Sequence, residues 1–222
     1  MKTPMDIDAL LQEEPRPPDP AALERALTSA RSELALRKPV RGWRTLATWV
    51  MASSGGLALL AAGVMLAVGA VSAAALWTRA PLLLLLLVTS GVCAWGALSP
   101  RGRDLRRGAV GLAMACAATL VLARGSPTTP PSLPGWVCTA SHLAVGIIPL
   151  VMAVVVLRGA AFQPLRALCA GLSVGTTGAF VGELACEQDW RHVAGYHLFA
   201  WGFICVVTLV LSRTLKPRSY AP

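Results

Sequence analysis

Two cysteines and three histidines stand at the ends of apolar stretches in this chain, where they could hold a soft metal ion or carry thiol chemistry. Cys138 and His142 are four residues apart, so on one helix they share a face. Cys186 closes one apolar stretch, and His192 and His197 open the next, with Glu183 and Asp189 close by. Two thiols and two or three imidazoles can bind a zinc-like ion tetrahedrally, and Cys138 with Cys186 can equally form a disulfide or a redox-switched dithiol. The spacing matches no close-set metal motif, because the residues come from three separate segments. A third reading leaves the five residues unlinked, with the histidines in interfacial hydrogen bonds. An outward-facing compartment favours the disulfide or redox pair. No cofactor is expected, and the sequence assigns no particular metal.

The elements that must position these residues are six apolar stretches. The chain has 222 residues, 55% of them apolar and only 14% charged, with a formal charge of +9. Its mean hydropathy is +0.60. The charges avoid the long apolar runs, whereas a soluble domain spreads them along the chain. Charge-free intervals cover residues 45–78, 80–100, 108–123, 125–157, 167–182 and 193–212. A helix crosses the hydrocarbon layer with about 20 residues, and about 17 suffice with help at the ends. The fourth interval begins with Pro127, Pro130, Pro131 and Pro134, which belong to a loop and leave a span over residues 136–157. The third and fifth are short, but Arg106, Arg107 and Arg166 can snorkel from their ends. The fold expected is therefore all-α, a polytopic membrane bundle of six transmembrane helices with a short cytoplasmic helical arm. Residues 1–44 form the arm, 45–212 the bundle in the lipid bilayer, and 213–222 a cytoplasmic tail.

Orientation follows from the basic residues. Seventeen Lys and Arg fall in the arm, the loop after Ser99, the loop after Leu157 and the tail, against only Arg79, Arg124 and Arg191 on the other side. The positive-inside rule then puts both termini in the cytoplasm and the Cys and His residues at the outer face. Trp43, Trp49, Trp77, Trp136 and Trp190 lie near the interfaces, where indole rings settle. The basic charge is thus explained at helix ends, and direct nucleic-acid binding is not expected.

The arm reads as two short helices around a proline-rich breaker. Residues 4–14 place Ile7, Leu10 and Leu11 on one face, and Pro15, Pro17, Pro18 and Pro20 interrupt them. Asp19 is a good N-cap, with Pro20 at the first helical position of a second helix that runs to about Arg37. Leu23, Leu27, Ala30 and Leu34 make one apolar stripe at spacings of four, three and four. Such a stripe lies on a membrane surface or docks into a protein groove. Glu24 and Glu33 mixed with Arg25 and Arg31 favour the groove, because surface-lying helices carry a basic polar face.

Other patterns exclude more than they assign. No phosphate-binding glycine loop, nucleophile elbow or HExxH helix is present, so no enzymatic activity is expected. The charge-free runs hold no Asp, Glu, Lys or Arg, and their histidines, His142 and His197, lie towards the outer edge, which argues against a transporter. Cys93, Cys116, Cys169 and Cys205 lie within spans as small packing residues. Gly171, Gly175, Gly178 and Gly182 form a face for close helix approach, and Gly56, Gly63 and Gly69 a weaker one.

Three features together resemble the six-helix membrane anti-sigma factors of the negative-regulator-of-sigma-F type. They are the amphipathic arm with six spans, the run 182–187 (GELACE) leading to His192 and His197, and the stretch 34–44 (LALRKPVRGWR) entering the first span. Within that family the chain is most similar to the regulators of light-induced carotenoid synthesis. The resemblance implies a protein of the bacterial inner membrane that sequesters an extracytoplasmic-function sigma factor and releases it on a signal such as light or oxidative stress. It maps the family's outer cysteines onto Cys138 and Cys186. The arm has no Cys or His, so a zinc-binding anti-sigma domain is excluded from it.

Overall fold

A computed structural model describes residues 19–36, 42–100, 102–125 and 134–215. Every regular element among them is a helix, and the chain divides after Val40 into two units. The first unit contributes α1 (Pro20–Leu36). Its start is capped as its residue types require: the Ala21 N–H donates to Asp19 Oδ1 at 3.1 Å, and Pro20 occupies a position whose N–H would have no helical partner. Leu23 and Leu27 remain half exposed, at 50% and 48%. The Leu34 side chain and the helix expected over residues 4–14 lie outside the described residues.

The second unit holds six helices long and apolar enough to cross a membrane. They are α2 (Trp43–Ala67), α3 (Ala73–Leu98), α4 (Arg103–Leu122), α5 (Gly135–Leu157), α6 (Pro164–Ala185) and α7 (Trp190–Thr214). Large side chains such as Leu59, Leu60, Val88, Ile147 and Ile148 are exposed along their outer faces. Apolar surface on that scale belongs against lipid rather than water.

The first apolar interval is not one span followed by a loop at Arg79. Gly69, with φ of +72°, takes the left-handed conformation that ends α2, and the Ala70 N–H returns to the Met65 carbonyl at 2.9 Å. Ser72 then caps α3, accepting from the Ala75 N–H at 3.1 Å. The turn therefore falls ten residues before Arg79, which sits inside α3 and extends to polar partners on another helix.

Helix α6 is the axis of the bundle, packing against each of the other five spans. Of its apolar window 78% is buried, against 50% or less for any other span. Small residues permit this approach. Ser173 donates to the Ser90 carbonyl of α3 at 2.9 Å, and Ser90 donates back to the Ser173 carbonyl at 3.2 Å. The α6 glycines expected to allow close packing do so: a β-carbon on Gly171 would lie 2.6 Å from Cys205 Cα, and one on Gly175 would overlap the Trp201 indole. Gly56 and Gly63 have no such neighbour, so the weaker glycine pattern in α2 positions nothing. Cys93, Cys116, Cys169 and Cys205 are buried in the core, the packing role expected for them.

A candidate cysteine and histidine site

One end of the bundle collects the N-terminus of α5, the C-terminus of α6 and the start of α7. Cys138 lies in the first turn of α5, and Cys186 is the C-cap of α6, its N–H bonded to the Gly182 carbonyl at 2.9 Å. His192 ends the opening turn of α7, where Asp189 accepts from its N–H at 3.0 Å. Ligand atoms of Cys138, Cys186, His192 and His197 all lie within 4.8 Å of one another. Four of the five residues selected from sequence thus converge.

The convergence depends on an irregular turn. Residues five apart on an α-helix diverge by about 140° around its axis, which would separate His192 from His197. Residues Val193–Leu198 form a π-helix instead, in which each turn closes between residues five apart. The two imidazoles therefore share a side of α7, with ring centroids 5.4 Å apart. Thr139 of α5 fixes this turn laterally, donating to the Tyr196 carbonyl at 3.1 Å.

His142 belongs to the next layer down. It is 3% exposed, and its Nε2 pairs with the Gly175 carbonyl at 3.0 Å; facing a carbonyl, that nitrogen carries the proton. Its ring lies 6.1 Å from that of His197, beneath the four-residue group rather than in it. Both rings rest on the glycine face of α6: a β-carbon on Gly178 would overlap His142, and one on Gly182 would overlap His197. The glycine stripe, read from sequence as packing alone, is what admits the histidines.

Cys138 and Cys186 stand as free thiols in this structure. The two thiols share their surroundings with two imidazoles, an arrangement suited to ligating a metal as well as to oxidation.

Two arginines complete this end. Helix α6 stops with its last carbonyls unsatisfied, and cations are favourable there. Arg79 donates to the Glu183 and Leu184 carbonyls at 2.6 and 3.0 Å and pairs with Glu187 at 2.9 Å. Arg124, from just beyond α4, donates to the Cys186 carbonyl at 2.6 Å and to the Glu183 carboxylate. Arg124 and Glu183 are only 11% and 6% exposed, a buried ion pair. Sequence reasoning treated both arginines as orientation signals and missed this clamp. Glu183 at the end of a charge-free run, opposite two arginines, is the signal that points to it. The opposite end repeats the device, with buried Arg106 donating to the Gly96 carbonyl at 2.9 Å, to the Ser99 carbonyl and to Gln163 Oε1 at 3.0 Å.

No family model matches the chain, and no solved structure matches it. The carotenogenesis protein CarR of Myxococcus xanthus is 66% identical over 222 residues, covering 100% of each chain. A match of that identity, covering both chains from end to end, leaves one family: the chain belongs to the CarR family of carotenogenesis proteins.

Proposed function

We propose that the chain is a membrane-anchored anti-sigma factor that holds an extracytoplasmic-function sigma factor at the inner membrane, keeping carotenoid synthesis genes silent until a signal such as light or oxidative stress arrives. The observation that carries this reading is the end-to-end 66% identity with a protein named for carotenogenesis. The molecule's build supports it. Leu23 and Leu27 stand exposed on the capped helix of the first unit, an apolar stripe suited to a partner groove. The excess of basic residues at one end of the spans supports a cytoplasmic arm and tail, where a sigma factor is within reach. The Cys and His end then faces outward as a receiving rather than a catalytic element, and the protein acts by binding, without direct nucleic-acid contact.

The test is genetic and biochemical together. Deleting the gene should make a sigma-dependent carotenoid promoter active in the dark, and the full chain purified from membranes should bring the sigma factor with it. A promoter that stays silent in the deletion strain sinks the proposal.

A further inference from the structure

We propose that Cys138, Cys186, His192 and His197 form a binding site for one zinc ion. Their four ligand atoms lie within 4.8 Å of one another. Zinc bonds of about 2.0–2.3 Å to nitrogen and sulfur set tetrahedral ligands roughly 3.3–3.8 Å apart, so the ion closes the group with shifts of about 1 Å or less. Such shifts are side-chain movements, and the helices that carry the ligands need not move.

A second observation points the same way. Nε2 of His192 and Nε2 of His197 are both buried without a hydrogen-bond partner. Buried ring nitrogens ordinarily have one, and two orphans beside two thiols mark a place built to be filled. His197 is 6% exposed and its Nδ1 edge lies against Gly182, which fixes the ring within the group. The π-helical turn that brings the two histidines to one side is a departure from regular geometry of the kind found at functional sites.

The donor set selects the ion. Two sulfurs and two nitrogens, with no oxygen among them, suit a tetrahedral, borderline-soft cation and disfavour calcium and magnesium. Two thiolates cancel the charge of a divalent ion, leaving a neutral centre, which is what an apolar bundle can hold at low cost. Bound there, the ion ties together the ends of α5, α6 and α7. The inference stands on this geometry and is independent of the sigma-factor reading.

The experiment uses the full chain, extracted in detergent without chelators and without oxygen for metal analysis, with a separate portion alkylated at lysis to record the thiol state. Elemental analysis should find one zinc per chain. Replacement by cobalt should give thiolate-to-cobalt charge transfer together with the ligand-field bands of four-coordinate cobalt. Cys138→Ser and His197→Gln should each lower zinc affinity by at least about tenfold, since even partners outside the ligand shell change it 10–100-fold. His142→Gln should leave the zinc content unchanged. Each variant is compared only where its elution and helical circular dichroism match those of the parent. Parent protein that carries free thiols but no zinc overturns the proposal, as does a Cys138–Cys186 disulfide in the alkylated parent. Zinc retained at parental affinity by a folded Cys138→Ser chain overturns it too.

Discussion

The imidazole of His197 on α7 occupies the space where a β-carbon on Gly182 of α6 would stand. One turn deeper, His142 of α5 fills the corresponding space above Gly178. Two histidines from different helices are therefore seated on one glycine face, and the shape of α6 sets the position of the polar cluster. Close backbone approach here serves the placement of imidazoles as well as helix association.

Gly182→Ala should force His197 out of this seat. Overpacking of a closely fitted interior costs about 1–3 kcal/mol, and unfolding of the detergent-solubilised chain would report it. Gly56→Ala is the control, because a β-carbon there meets nothing within 4 Å and helix propensity favours alanine by roughly 0.5–1 kcal/mol. Equal midpoints for the two variants would show that position 182 is not sterically restricted.

The Arg124–Glu183 pair should show strong coupling in a double-mutant cycle. Both groups are buried, so removing one leaves an uncompensated charge and costs about 3–5 kcal/mol. Arg124→Leu and Glu183→Leu should each destabilise by that order, and the double variant by clearly less than their sum. Arg124 also holds the Cys186 carbonyl, so Arg124→Leu should be the more harmful single change. Additive losses would mean that the two side chains do not meet.

Topology has its own test. Reporter fusions at Ser126 and Gln188 should report outside, and fusions at Gly102, Gly159 and the C-terminus should report inside, by the charge bias of the flanking residues. An outside signal from Gly102 would reverse the proposed arrangement and place the Cys and His end in the cytoplasm.

The six spans and the capped start of α1 were legible in the sequence because both are local. Hydropathy needs only consecutive residues, and the cap needs only Asp19 followed by Pro20. The five site residues were legible by type, since Cys and His are sparse and recur at segment ends. Their arrangement was not. The π-turn between His192 and His197 has no propensity signal, and an α-helical reading sets those residues on different faces. Arg79 bounds the first charge-free interval in sequence but lies within α3 in the structure. Its place inside α3 depends on carbonyls more than a hundred residues away in sequence. The excess length of the interval 45–78 was the available clue, for it exceeds one span and leaves room for the turn at Gly69.

The arm carries the last prediction. Leu23 and Leu27 are about half exposed on α1, an apolar stripe left uncovered among the described residues. A helix of this length gains little stability in isolation, so a partner groove that buries the stripe would supply what propensity does not. Burying three leucines, with Leu34 as the third, is worth roughly 5–8 kcal/mol before ordering costs, enough for useful affinity. Leu27→Asp puts a carboxylate at the centre of that stripe and should cost several kcal/mol of binding, because an unpaired charge would have to be desolvated. The bundle should still insert, since the change lies outside every span. The expected phenotype is a sigma-dependent promoter active without stimulus, with undiminished chain in the membrane fraction. Ser32→Asp, off the stripe on the same helix, should leave repression intact. Residues 1–44 alone should bind the sigma factor, more weakly than the whole chain if inner loops contribute. Should Leu27→Asp and deletion of residues 1–44 both leave transcription unchanged, the anti-sigma reading fails, and the Cys and His end becomes the place to look for function.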